Sequence, residues 1–202
     1  MQFGAHIFGV GAMAEPAALL EVARLAKEPG CSALLLAAHS LLPRQFASTY
    51  PHARDGGLTY APAINWHASI VALGFLAAHT SILCLGTSIT VLPMRHPMGT
   101  AKQIATADDL SGGRIIFRLG VGWMQEEFQV LGASFHDRGR RMDEHLRLMQ
   151  VLWMEEHPYF EGQYLQVADS ALPPQTGATI AYDTVGRGRK PGSLHAAAWV
   201  QF

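Results

Sequence analysis

Charge is scarce in this chain. Asp, Glu, Lys and Arg make up 15% of 202 residues and leave a formal net charge of −1. A balance so close to neutral gives no electrostatic footprint for nucleic acid or an anionic membrane, and neither is expected as a partner. Cysteine is scarcer still. Cys31 and Cys84 are the only two and both sit in apolar stretches, so the expectation is buried thiols in a reducing compartment, not a disulfide scaffold. No Lys or Arg precedes Arg24, so the charged start of a secretory signal is missing and a cytoplasmic location is expected. No apolar run approaches the roughly 20 residues of a membrane span. Ten histidines invite a metal reading, but none stands in an HxxxH or His–carboxylate spacing, and no metal is expected.

Apolar residues are plentiful, at 49%, which is enough for one domain with a real core. Their periods alternate between strand and helix. Residues 2–8 alternate as a strand, with His6 among them. Pro16 opens a helix to Lys27 that buries Leu19, Leu20, Val22, Ala23 and Ala26, and Gly30 ends it. Residues 33–38 read as a second, buried strand ending at His39. Residues 41–64 show no period, and a loop that long inside a compact domain is usually functional. A helix is expected from about Trp66 to Ala78.

The most informative stretch runs from Ser81 to Phe128. Ile82, Leu83, Leu85 and residues 89–92 form the apolar, β-branched run of a strand buried on both faces. Pro97 starts a helix whose apolar positions are Met98, Ala101, Ile104, Ala105 and Leu110, and Ser111-Gly112-Gly113 stops it. Residues 114–119 form the next strand, and Gly120-Val121-Gly122 leads to a helix beginning near Gln125. This is a βαβ unit with its functional loops at the strand C-terminal ends. Beyond it, Asp137 opens a helix through Trp153 with Met142, Leu146, Met149, Leu152 and Trp153 on its core face. Residues 158–167 suggest a hairpin around Glu161-Gly162.

The run RHPMGTAKQIATADDLSGGR followed by GVGWMQEEF resembles the bacterial luciferase-like monooxygenases, and within them the branch that uses the deazaflavin F420. The resemblance covers about residues 1–168. It implies an α/β fold of the (β/α)8 TIM-barrel type, with a flavin-like ring at the C-terminal mouth. It also implies an F420-dependent (alternatively FMN-dependent) oxidoreductase that transfers a hydride to or from a small organic substrate, as a homodimer. Four to five β/α units are recognisable, where a full barrel needs about 250 residues. Residues 169–202 are rich in Gly, Pro and small residues, and are expected to be an atypical tail, a shortened or frame-changed end in preference to a diverged barrel half. The alternative function is a non-catalytic, truncated member of the family that self-associates.

Several residues carry the chemistry. His39 is either the proton donor of the resemblance or an ordinary histidine at a strand end. Imidazole ordinarily titrates near neutrality, which suits proton transfer. The family often places a carboxylate immediately before this histidine, but here Ala38 stands there. Ser88, Ile89 and Thr90 align with a family bulge whose cis peptide, between Ser88 and Ile89, supports the cofactor ring. The other reading is a regular strand. Gly120, Val121 and Gly122 either admit the cofactor to the backbone or make a turn. Glu126 either bonds the cofactor or complements the dipole of the next helix. Trp123 stands where some relatives carry a catalytic Glu, and Arg118 where the pattern has Gly. Arg138, Arg140, Arg141 and Arg147 are interrupted by Asp137, Asp143 and Glu144 and suggest a solvated helix face. Asp108 and Asp109 are placed to pair with Arg114.

Overall fold

The computed structural model describes residues 3–51, 53, 56–57, 63–176 and 179–182. Strands β1 (Gly4–Ile7), β2 (Ala33–Leu36), β3 (Cys84–Thr87), β4 (Thr90–Val91), β5 (Ile115–Gly120) and β8 (Thr179–Tyr182) make one parallel sheet. β3 and β4 are two pieces of one line, interrupted at Ser88–Ile89, and pair with successive halves of β5. The spatial order is therefore β1, β2, β3/β4, β5, β8. Between them run α1 (Pro16–Lys27), α2 (Ser69–His79), α3 (Pro97–Ser111), and the pair α4 (Gln125–Val130) and α5 (Arg138–Met154). A short antiparallel hairpin, β6 (Phe160–Glu161) with β7 (Gln166–Val167), follows α5 where it is expected.

Each crossover returns the chain to the next parallel strand, and the helices form one continuous layer in which α1 packs on α2, α2 on α3 and α3 on α5. The core lies between that layer and the sheet. It contains Leu34 and Leu36 of β2, Leu85 of β3, Phe117 and Leu119 of β5, with Leu73, Ile104, Met149 and Trp153 from the helices. Trp153 also donates from Nε1 to the carbonyl of Ala101 at 3.0 Å, so the ring locks α5 onto α3. This is a β/α barrel architecture of five parallel strands that does not close among the described residues.

The structure revises several expectations. Ile82 and Leu110 are about 73% and 72% exposed, because they fall at the solvent edge of a turn and on the outer face of α3. Trp66 precedes α2, which begins at Ser69. The two cysteines are free but only half-buried. Glu144 is on no solvated face. It is buried, and its carboxylate accepts the N–H groups of Gln163, Tyr164 and Leu165, all at 2.8 Å, which fixes the β6–β7 turn. Arg141 pairs with Asp137 and lies over the Tyr164 ring at 4.2 Å, whereas Arg140 and Arg147 are exposed. The tail contains a strand. Thr179–Tyr182 is a β-type tetrapeptide too short to display a period, yet its register along β5 runs from Ile116↔Thr179 to Leu119↔Tyr182. The rest of the tail, 177–178 and 183–202, lies outside the described residues.

Asp108 and Arg114 do not pair as expected. Asp108 is buried, accepting the N–H of Ile115 and the hydroxyl of Thr176. Arg114 instead donates to the carbonyls of Ser111, Leu83, Ala77 and Thr80 and to the Thr80 hydroxyl, at 2.6–3.1 Å. One guanidinium thus ties the C-terminal turns of α2 and α3 to the start of β3, where helix dipoles favour a cation. Arg114→Met keeps much of the packing but orphans these acceptors, and is expected to lower unfolding free energy by about 3 kcal/mol. Urea denaturation checks this, and a loss below about 1 kcal/mol contradicts it.

Candidate active site at the C-terminal mouth

The C-terminal ends of β2, β4 and β5 bring His39, the 88–91 bulge and the 120–122 loop to one end of the sheet. β2 is buried along its whole length, and the small, buried Ala37 and Ala38 let the chain turn across the mouth behind it. His39 follows with its side chain 17% exposed.

The carboxylate missing at position 38 is supplied from α4. Glu127, whose side chain is 1% exposed, places Oε2 3.0 Å from His39 Nδ1. Its Oε1 accepts the N–H groups of Ser40 at 2.8 Å and Leu41 at 3.1 Å. A carboxylate so enclosed needs several donors to remain in place, and these three meet the requirement. Sequence reading passed over Glu127. Its one signal was the conjunction of a second acidic residue in the first turn of α4 with a missing acid beside His39, 88 positions away.

Aromatic rings wall the histidine. Trp66 meets it edge-on at 5.1 Å between centroids, and Trp123 at 6.4 Å. Phe46 and Tyr50, from the long loop, pack on Trp123 at 6.5 and 5.2 Å. The described part of that loop is therefore docked at the mouth; residues 52, 54–55 and 58–62 lie outside the described residues. Glu126 is what fastens it. Its oxygens accept the N–H of Ala47 at 2.7 Å, the N–H of Ser48 at 3.1 Å and the hydroxyl of Ser48 at 2.6 Å. Glu126 stands in the first turn of α4, as the dipole reading has it, and its oxygens are engaged by the loop. Adjacent carboxylates of α4 thus bind two successive pieces of chain, 39–41 and 47–48.

The remaining expected residues separate. The Ser88–Ile89 peptide bond is cis, as the resemblance implied, and both residues are partly exposed. Thr90 is fully buried, and its hydroxyl has no partner among the described residues, so its side chain does not reach the mouth surface. Gly120 is the last residue of β5, paired with Val91. Gly122 has φ +82°, and a Cβ there would lie 2.6 Å from Val91 Cγ1 and 2.8 Å from the Phe128 ring. Close packing of the protein on itself therefore requires glycine at 122, as in the turn reading. Arg138, placed by its sequence on a solvated face, donates to the Gly122 carbonyl at 3.0 Å and stacks on Phe135.

Beneath the mouth, on the sheet face opposite the helices, Arg118 is buried and directs Nη1 toward Ser88 Oγ at 3.4 Å. His6 lies beside it. Burial first, then the Arg118 charge, lowers the His6 pKa below its ordinary value, against a hydrogen bond with the Ser88 backbone that raises it. The Ser88 hydroxyl and the Arg118 guanidinium form a polar floor beside the apolar wall of Trp66 and Trp123. That chemistry fits a heteroaromatic ring carrying carbonyl oxygens. Among the described residues no group of three or more His, Cys, Asp or Glu side chains has metal-binding geometry.

A parallel β/α sheet with its functional loops gathered at the strand C-terminal ends is the architecture of a TIM-barrel mouth. The chain belongs to the luciferase-like monooxygenase family, whose sequence profile matches residues 1–198, well past the Ala168 at which the visible pattern fades. It is 30% identical over 171 residues to an uncharacterized protein of Mycobacterium tuberculosis, covering 84% of this chain and 59% of that one. It is 34% identical over 116 residues to an FMNH2-dependent dimethylsulfone monooxygenase of Pseudomonas putida, covering 56% and 32%. Its fold matches an F420-dependent secondary alcohol dehydrogenase with a TM-score of 0.69 at 21% identity, over 91% of this chain and 51% of that one. The chain thus spans about half the length of the relatives it matches. Among the described residues no helix is long and apolar enough to cross a membrane.

The Glu126 latch has a defined acid limit. The Ser48 hydroxyl, followed by the Ala47 and Ser48 backbone donors, lowers its pKa from 4.5 to about 2. A depressed carboxylate pKa stabilises the docked loop fully above the undocked value, and that contribution is lost as pH falls from about 4.5 toward 2. Glu126→Gln replaces charge-assisted bonds with neutral ones and is expected to raise hydrogen exchange at the Ala47 and Ser48 amides about tenfold at neutral pH. Unchanged exchange would remove Glu126 from the latch.

Proposed function

We propose that this protein is an F420- or FMN-dependent oxidoreductase of the luciferase-like family. It would move a hydride between the cofactor and a small organic substrate, with His39 as the proton-transferring group. The observation that carries this reading is the His39–Glu127 pair at the strand ends, walled by Trp66 and Trp123. An imidazole with one nitrogen on a buried carboxylate and the other directed elsewhere is a recurrent arrangement for proton donation.

Ser88 and Ile89, with Gly120, Val121 and Gly122, would hold the ring, and the Arg118 guanidinium would lie beneath it. When bound, the cofactor supplies the hydride position, C5 in F420 or N5 in a flavin. The chain's own contribution is threefold. Trp66 and Trp123 exclude water and offer an apolar wall to the substrate. The loop held by Glu126 covers the mouth. His39 holds or gives the proton that accompanies the substrate's change of charge. The choice between F420 and FMN stays inside this proposal, because relatives of both kinds are similar to the chain.

The same reading carries a cytoplasmic location and a homodimer, without nucleic acid or membrane as partner. The net charge of −1 supports the last point. A second reading has a specific observation behind it. Among the described residues β1 pairs only with β2 and β8 only with β5, leaving two sheet edges that another strand would satisfy. A non-catalytic family member that self-associates through such edges fits that geometry.

Fluorescence titration of the folded 202-residue protein with F420 and, separately, FMN decides between them. Saturable binding of either in the micromolar range is expected. No binding of either from a protein folded by circular dichroism would favour the self-associating reading. Once a substrate is found, His39→Asn is expected to lower kcat by roughly 100-fold or more while leaving cofactor affinity near wild type. A kcat within a factor of three of wild type would remove His39 from the chemistry.

A further inference from the structure

We infer that Glu127 is a positioning residue: it fixes the neutral His39 ring as its Nδ1–H tautomer and so presents a bare Nε2 to the mouth. The inference deepens the reading of His39 as the proton-transferring group and rests on it for its functional meaning. It begins with acceptor bookkeeping. A carboxylate only accepts hydrogen bonds. Its Oε1 is occupied by two backbone donors, the N–H groups of Ser40 and Leu41. Those bonds fix how the group is turned, and the turn sets Oε2 3.0 Å from His39 Nδ1. Nδ1 must then be the ring's donor.

Among the described residues nothing on the far side of the ring opposes this. Trp66 and Trp123 meet the imidazole edge-on, and among the described residues His39 Nε2 has no hydrogen-bond partner. Among the described residues the charged and titratable groups on this side include Glu127 from α4, Arg95, which donates to Ser40 Oγ at 3.0 Å, and Tyr50 against Trp123. Glu127 is the one that touches the ring. The two backbone bonds matter as much as the ring contact. They come from the two residues immediately after His39, so the same carboxylate fixes the ring and the piece of chain that bears it. Position 38 holds alanine, and the geometry assigns its missing acidic role to a residue on another element.

A substitution separates positioning from mere support. In Glu127→Gln the amide oxygen takes the place of Oε1, because Ser40 and Leu41 still require an acceptor. The amide NH2 then faces His39 Nδ1 as a donor, and the neutral ring is forced to the Nε2–H tautomer. The shape is nearly unchanged while the proton moves across the ring.

Long-range 1H–15N spectra of the 202-residue protein read this directly, with His39 identified among the ten histidines by its disappearance in His39→Asn. The expected result is Nδ1–H in the wild type and Nε2–H in Glu127→Gln. A wild-type ring in the Nε2–H form overturns the inference. So does a variant with the wild-type tautomer. Should Glu127→Gln not fold, the wild-type spectrum alone decides. The spectra need neither cofactor nor substrate, so they test Glu127 whatever the F420 and FMN titrations return.

Discussion

A carboxylate taken almost completely out of water is costly unless donors surround it, by several kcal/mol for a bare ion. Glu127 meets that requirement by drawing in three groups that do not otherwise belong together: the His39 ring and the N–H groups of Ser40 and Leu41. The first turn of α4 is thereby joined to the end of β2, and the course of the chain leaving β2 is set. Glu126, the neighbouring residue, binds Ala47 and Ser48, so the loop is held at a second place on the same helical turn. The mouth owes its form to these two carboxylates. Phe46 and Tyr50 reach Trp123 only because the loop is held there.

The sheet makes this economy possible. Parallel strands end in the same direction, so the segments after β2, β4 and β5 emerge side by side although they are far apart in sequence. Support comes from polar groups at the other end of the units and behind the loops. Arg114 gathers the carbonyls left over by α2 and α3, Asp108 holds the start of β5, and Arg138 holds the Gly122 carbonyl. Asp108 is buried and the two arginines are partly buried, and each is answered with specific hydrogen bonds. The described residues form five neighbouring parallel strands, enough to assemble the ends of β2, β4 and β5 into one surface.

Much of the fold is legible from local pattern. The α5 core positions Met142, Leu146, Met149, Leu152 and Trp153 are all buried as their spacing predicts, and Gly112 adopts the left-handed conformation that stops α3. Local pattern fails where burial depends on which side of an element faces its neighbours. Ile82 and Leu110 carry core-type side chains into solvent, and Glu144 carries a charge into the interior because three N–H groups await it there. Thr179–Tyr182 has β-type residues but too few to show a period, so its strand was invisible until β5 offered it a ladder.

The sequence by itself determined the alternation of strands and helices, the positions of their stops, and the family to which the run from Arg95 to Phe128 points. These are properties of neighbours along the chain, set by side-chain period, proline and glycine. It also identified His39 and the Ser88–Ile89 and Gly120–Gly122 stretches as the places to examine. Only the tertiary structure decided what surrounds them. Glu127 lies 88 positions from His39, and Glu126 lies 78 from Ser48; separations of that length leave no periodic trace. A pairing across them exists only once the crossover helices bring the strand ends together. For that reason Ala38 reads in sequence as a lost carboxylate, whereas in the folded chain the carboxylate is present, supplied by α4.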